Sequence, residues 1–478
     1  MSKIVVAASF LLYALNASSY TLEEYLSDIK AQNNQYRALE QESKGAELLI
    51  REGDLVFTPQ LFFNASHSFD GKKPLSEQQL QKRVENDLYS LGISQKFDFG
   101  LEAKLSYDVS KTNILGSGFN LNGTVVEEDY KNVWDATPKI ELMMPLWGNS
   151  FGKADRAQQT LAVEKRRAEN YQSRAQLDAL LVEAEVAYWN LAALQENVRV
   201  QTLALQSSQN ILNYVSDKRR KNLGEEADVL QARAMVDSYK MQLEQAKMDE
   251  RAGQRKFNQF LNRPSLEPVG TLAAINYNSL EKKMTPPQRP GDRADVRALQ
   301  AQIELARAAS VVTTESVKPS LNIFGSYNLN GRDDGASGAI SDTWSSGRES
   351  AAMGVRFQMP LNLSAVSDIK QGANLNVKAA ELKHQHALYT QEEEWKDLIE
   401  KFNDAKETLK LARTIENAQK AKLENERARL RQGRTTTYQV LLFEQDFNQA
   451  QLTRVRTATQ ILAVESQFKM YNVSSEGN

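Results

Sequence analysis

Residues 93–110 read Ile-Ser-Gln-Lys-Phe-Asp-Phe-Gly-Leu-Glu-Ala-Lys-Leu-Ser-Tyr-Asp-Val-Ser. Ile93, Phe97, Phe99, Leu101, Ala103, Leu105, Tyr107 and Val109 fall on one parity, broken only by Gln95. Ser94, Lys96, Asp98, Glu102, Lys104, Ser106, Asp108 and Ser110 fall on the other. A period of two over this length predicts a strand with one apolar and one polar face. Shorter candidates with the same pattern lie at 61–69, 119–126 and 140–144, the last closed by Pro145.

Beyond Pro145 the period changes. From Lys153 to about Asp217 there is no proline or glycine, and Leu177, Leu180, Ala184, Ala187, Leu191, Leu194 and Val198 keep the three-and-four spacing of a coiled-coil seam. About 65 helical residues at roughly 1.5 Å each reach on the order of 100 Å, too long for a compact domain. Gly224 interrupts this helix, and a second runs from Glu225 to about Leu261, before Asn262-Arg263-Pro264. Upstream, residues 21–56 read as one helix opened by the capping box Thr21-Leu22-Glu23-Glu24 and stopped at Thr58-Pro59.

The order then recurs. After a proline-rich linker at 265–290 come a helix at 292–317 and a strand holding Leu321, Ile323, Tyr327 and Leu329 against Asn322, Ser326, Asn328 and Asn330. A polar loop at 333–338, a return strand at 351–361, a long helix at 367–430 with Trp395, Leu398, Phe402, Ala405, Leu409 and Ala412 on its seam, and a partner helix at 437–470 complete the series. Pro59 pairs with Pro319, Met144-Pro145-Leu146 with Met359-Pro360-Leu361, and Gly224 with Gly433. The chain divides into repeat 1 (20–264), the linker, repeat 2 (291–472) and a tail (473–478).

Residues 1–17 have the layout of a secretory signal peptide: Lys3, an apolar run from Ile4 to Leu15, then small residues ending near Ala17. The run is shorter than the roughly 20 residues of a membrane-spanning helix. No later stretch is that apolar, so a membrane-spanning form of the mature chain must be a β-barrel. The 478 residues are 41% hydrophobic with no cysteine, so neither one large core nor disulfides hold them together. Mean hydropathy is -0.53. Lys+Arg number 59 against 61 Asp+Glu, a net charge of -2 that carries no nucleic-acid signature.

Several motifs together resemble the TolC family of outer-membrane factors over essentially the whole mature chain. They are Thr58-Pro59-Gln60-Leu61 and Lys318-Pro319-Ser320-Leu321 where helix passes to strand, Arg289-Pro290-Gly291-Asp292 opening repeat 2, and Leu430-Arg431-Gln432-Gly433 followed by Thr436-Thr437-Tyr438-Gln439-Val440-Leu441. The resemblance implies a mixed α and β fold from two internal repeats: a transmembrane β-barrel shared by a homotrimer, and a long periplasmic α-helical coiled-coil barrel. It further implies an outer-membrane channel of a tripartite efflux or type I secretion system, docked to a membrane-fusion adaptor and through it to an inner-membrane pump. The chain departs from the family in two places. The family has two strands per repeat, whereas repeat 1 offers four candidates, so residues 71–134 are an insertion or an enlarged outer loop. The aspartates that the family often places after the second turn are replaced by Tyr438-Gln439-Val440-Leu441-Leu442-Phe443-Glu444.

On this reading Gly224 and Gly433 permit the sharp tip turns. Val229, Leu230, Val440 and Leu441 pack the hairpins beneath them, where the adaptor docks. Lys218, Arg219, Arg220 and Lys221, with Arg427, Arg429, Arg431 and Arg434, form basic clusters before the turns. They either complement helix C-termini or offer a charged patch to a partner. Phe63, Phe69, Phe324, Tyr327 and Phe357, with Trp134 and Trp344, are candidates for aromatic girdles at the lipid interface, the alternative being ordinary core aromatics. Catalysis has little to draw on: three histidines, at 67, 384 and 386, no cysteine and no glycine-rich phosphate loop. No cofactor and no metal site is expected. The rival readings are a periplasmic coiled-coil scaffold or tether without a pore, and a secreted hydrolase with helical arms.

Overall fold

The computed structural model describes residues 19–72, 79–80, 82–121, 124–282, 286–345 and 347–471. The expected signal peptide and the tail at 473–478 lie outside them. Two compact units result. One takes residues up to Lys44, Asn170–Arg297 and the chain from His386 onward; the other takes Gly45–Glu169 and Ala298–Gln385.

The first unit is helical. Helix α1 (Leu22–Gln32) opens on the expected capping box, with Thr21 and Glu24 each accepting from the other's backbone N–H. The single helix expected over 21–56 is broken. Asn33 leaves helical geometry, accepts the Tyr36 N–H at 2.8 Å to start α2 (Asn34–Leu49), and donates to the Phe260 carbonyl at 2.7 Å. An asparagine that can satisfy both directions competes well with the i→i−4 ladder. The segment ends as a 3-10 turn, Ile50–Phe57.

The long helices are α3 (Lys153–Arg220), α4 (Glu226–Phe260), α8 (Leu363–Arg431) and α9 (Thr437–Phe468). Residues 170–220 of α3 and 386–431 of α8 belong to this unit, and there the helix seams form its core. Leu180, Ala184 and Leu191 of α3 pack with Tyr25, Tyr188 and Phe257, the rings of Tyr25 and Phe257 stacking at 4.1 Å. Trp395, Leu398, Phe402 and Leu409 of α8 pack with Ile461, Phe468 and Tyr471. The proline-rich stretch at 265–290 adds Leu272, Ile275 and Leu280 to these cores and includes a short helix, α5 (Tyr277–Lys282). Each buried Leu or Ile side chain contributes roughly 1.5–3 kcal/mol of transfer free energy.

The second unit is an antiparallel sheet with helical segments, including α6 (Ala294–Ser316). Its strands are β1 (Gln60–Asp70), β2 (Gln79–Leu80), β3 (Arg83–Lys96), β4 (Glu102–Leu121), β5 (Thr124–Trp147), β6 (Ser320–Leu329), β7 (Gly331–Asp333) and β8 (Glu349–Gln358). The main path runs β1-β3-β4-β5-β6-β8, with β2 on β4 and β7 on β5.

Three expectations change here. The alternation at 93–110 is not one strand: it crosses a hairpin turn, where Phe97 N–H donates to the Leu101 carbonyl at 2.8 Å and Gly100 takes φ +91. A Cβ on Gly100 would sit 2.4 Å from the Gly152 backbone, so the close approach of the α3 entry also requires glycine. Arg156 locks the turn by donating to the carbonyls of Asp98 and Phe151. The candidate at 119–126 is the meeting of β4 and β5, with residues 122–123 outside those described. The polar loop at 333–338 holds the start of a helix, α7 (Ala336–Asp342), seated on β7 and β5; Thr343 Oγ1 donates to the Ala136 carbonyl at 3.1 Å.

Candidate functional site

Two regions carry functional potential: the faces and edges of the sheet, and the turns joining the paired long helices.

The register sorts the sheet into two faces. Leu61, Ile93, Leu105, Ile140, Tyr327 and Ala351 form one continuous row across the six main strands. Rows beside it hold Phe63, Leu91, Tyr107 and Pro138, and, at the other end, Leu142, Ile323, Val355 and Phe357. Large side chains here stay exposed in the single chain: Leu61 at 74%, Phe63 at 65% and Met353 at 89%. A contiguous exposed apolar surface of this extent requires a partner, since soluble monomers rarely carry one. The band ends at His67, whose Nδ1 lies 2.7 Å from Asp87 Oδ1, and at Lys111 on the same face.

The opposite face is polar. Lys104 and Lys139 both pair with Glu141, at 3.5 and 2.6 Å, and Lys96 bridges Glu102 at 2.9 Å and Asp155 at 3.6 Å. A recess of ≈ 660 Å³ on this side is lined by Leu55, Lys104, Glu141, Phe324 and Arg356 among others.

Phe63, Phe69, Tyr327 and Phe357 share the apolar face, Phe69 lying beyond the row of His67. Phe324 does not. It pairs with Met143 and Gly354 on the polar face, under the Arg356 guanidinium at 5.4 Å, and so leaves the girdle set. Its parity relative to Ile323 and Tyr327 already carried that signal, because side chains three apart on a strand point to opposite faces.

At the turns of the helical hairpins, α3 and α8 finish in the same way. Leu223 N–H donates to the Lys218 carbonyl at 2.9 Å and Asn222 N–H to Arg219 at 3.0 Å. Arg434 N–H donates to Arg429 at 2.9 Å and Gly433 N–H to Leu430 at 3.0 Å. These are Schellman ends, and their left-handed residues are Asn222 (φ 56) and Gly433 (φ 70). The counterpart of Gly433 is therefore Asn222, not Gly224, whose φ is not positive; asparagine fills the role because its short polar side chain tolerates the left-handed region. Gly433→Val is expected to destabilise this hairpin by about 2 kcal/mol, and Asn222→Gly to be near neutral, in thermal melts followed by circular dichroism.

Beneath the turns, Val229, Val440 and Leu441 are buried with Ile211, Val215, Leu423 and Leu430. Leu230 is not part of that packing: it is 55% exposed, as are Leu223 and Tyr438 to a similar or greater degree. The basic residues divide. Lys218 lies 5.0 Å over the Tyr214 ring, Arg219 pairs with Glu226 at 3.3 Å and Arg220 with Asp217, while Lys221, Arg431 and Arg434 are exposed. Two polar ties missed in the sequence join the hairpins. Tyr214 Oη donates to the Leu430 carbonyl at 3.0 Å, and the buried Glu444 carboxylate of α9 accepts from Arg427 of α8 and Ser207 of α3.

Farther along α3, burial pushes the Asp178 carboxyl up from 3.8 to about 6, against the pull of Arg174. The folded chain then holds a proton that the unfolded chain releases across this window. The stability associated with it is full below the unfolded value and is lost as pH rises through about 6. Asp178→Asn should raise the thermal midpoint at pH 7.5 and leave it nearly unchanged near pH 4; equal shifts at both pH values would contradict the assignment.

Set beside solved structures, the chain matches the outer-membrane channel OprN at a TM-score of 0.65 with 16% identity, over 94% of this chain and 89% of that one. It matches the outer membrane protein VceC of Vibrio cholerae at 0.62 with 14% identity, over 94% of each chain. The fold is that of the TolC-like outer-membrane channels. The Campylobacter jejuni outer membrane channel CmeC aligns over 100% of this chain at a TM-score of 0.57 and 16% identity. No family model matches the chain. No curated protein matches it either.

Proposed function

We propose that this chain is the outer-membrane channel of a tripartite efflux or type I secretion system, acting as a homotrimeric passive conduit. The observation that carries this is the pairing, in one chain, of a sheet that has one apolar face, one polar face and, among the described residues, two open edges, with two long helical hairpins. In lipid an open sheet edge cannot persist, so closure with further copies is the physical solution, and the apolar face then meets acyl chains while the polar face lines water. The shared fold with outer-membrane channels supports the same reading.

On this proposal the sheet lies in the outer membrane and the helices in the periplasm. A membrane-fusion adaptor docks at the helical turns, where exposed Leu223, Leu230 and Tyr438 stand beside Lys221, Arg431 and Arg434. The inner-membrane pump acts indirectly and supplies the energy. The chain does no bond chemistry, and its selectivity comes from lumen charges such as Lys104, Lys139 and Glu141. The test is single-channel conductance of the detergent-extracted protein in a planar bilayer, with oligomeric mass measured on the same sample. Trimeric mass with discrete conductance steps is the expected result; a soluble, non-conducting species would favour the scaffold.

A further inference from the structure

The extra segment of repeat 1 is not an outer appendage. Strands β3 and β4 lie inside the sheet, between β1 and β5. β1 pairs with β3 at every position from Gln60 to Asp70, β3 with β4 from Arg83 to Lys96, and β4 with β5 along almost all its length. Within the sheet β1 pairs only with β3, among the described residues. The added hairpin also keeps both faces in phase: Leu91, Ile93, Leu105 and Tyr107 extend the apolar band, and Ser90, Ser94, Lys104 and Ser106 extend the polar one.

The open edges fit a second copy of this chain. β1 has 11 residues and β8 has 10, and both are exposed along nearly their whole length. With six antiparallel strands in the path, β8 of one copy and β1 of the next run antiparallel, and their apolar residues, Leu61 and Phe63 against Met353 and Val355, are exposed for the same side of a continued wall.

From this we infer that the hairpin β3–β4 is built into the pore wall, so that three copies close an eighteen-stranded barrel, six strands from each, in place of the twelve that two strands per repeat would give. The inference rests on the trimeric channel proposed above. With strands about 4.8 Å apart and tilted by about 40°, the wall would be about 36 Å across between backbones, against about 24 Å for twelve strands. Barrels of sixteen to eighteen strands hold open aqueous channels. The barrel end of the conduit thus takes bulky hydrated cargo that a twelve-stranded wall would exclude.

The test is electron cryo-microscopy of the full chain in lipid nanodiscs, counting wall strands, with polyethylene glycol exclusion measured from the barrel side in planar bilayers. A second sample lacks residues 73–130, which joins Asp70-Gly71-Lys72 to Lys131 and leaves β1 antiparallel to β5. The expected result is a trimer of eighteen wall strands, and a deletion variant with twelve and a polymer cut-off lowered by about a third in radius, as wall size scales with strand number. A trimer whose wall has twelve strands, with β3–β4 outside it and a cut-off unmoved by the deletion, overturns the inference and leaves the channel reading standing. A chain that forms neither trimer nor pore overturns both. Should the deletion variant not assemble, the strand count of the unmodified protein decides alone.

Discussion

Replacing Leu105 with lysine is expected to destabilise the membrane-inserted protein by about 2–4 kcal/mol per copy, the cost of a lysine on the lipid face near mid-bilayer. Leu105 sits in the middle of the apolar rows, between Ile93 on β3 and Ile140 on β5, and is 59% exposed in the single chain. Ser66→Lys, on the polar face of β1, is the matched control and should stay within about 0.5 kcal/mol. Urea unfolding from liposomes, read by loss of heat-modifiable mobility, gives both numbers. Similar small effects for the two variants would mean that the apolar face does not meet lipid, and the barrel reading would fall with it.

Arg427→Met should produce the largest effect within the helical hairpins. Stripping one partner from a buried ion pair costs roughly 3–5 kcal/mol because the other charge is left buried. The Arg427 side chain keeps 37% of its surface in water while Glu444 keeps 5%, so we expect about 2–3 kcal/mol at this half-wet pair. Adding Glu444→Gln removes the stranded charge and should recover most of the loss, a non-additivity that a double-mutant cycle reads directly. Because Arg427, Glu444 and Ser207 stand on α8, α9 and α3, the single variant should also loosen one hairpin from the other and raise conductance at rest. Unchanged stability in the single variant would show that the triad holds nothing together.

Some of this was plain in the sequence. The capping box at Thr21 and Glu24, the uninterrupted seam from Leu180 to Leu191 and the helix stop before Pro264 are written in neighbouring residues, and the structure has the same elements. These are local signals, set by propensity, capping and a period of 3.6. The misses are equally instructive. Phe97, Phe99 and Leu101 keep a strand's parity through a turn, because apolar residues spaced by two do not register that Gly100 has reversed the chain. The turn itself falls on Asp98-Phe99-Gly100, an aspartate and a glycine of the kind that tolerate tight reversals.

The candidate site divides along the same line. That two-faced strands lie within 61–69, 93–110, 140–144, 321–329 and 351–361, and that long helices meet at Gly433, follows from sequence alone, since alternation and helix-stopping residues act within a few positions; residues 83–92 and 127–139, whose alternation is weaker, join β3 and β5 only in the structure. Which strands touch, that β3–β4 enters the sheet between β1 and β5, that Phe324 lies over the polar side, and that Arg427 meets a carboxylate seventeen residues away, only the tertiary structure decided. Strand order, register and buried ion pairs are properties of distant segments brought together. Their free energy depends on edges, faces and desolvation that no local stretch of chain contains.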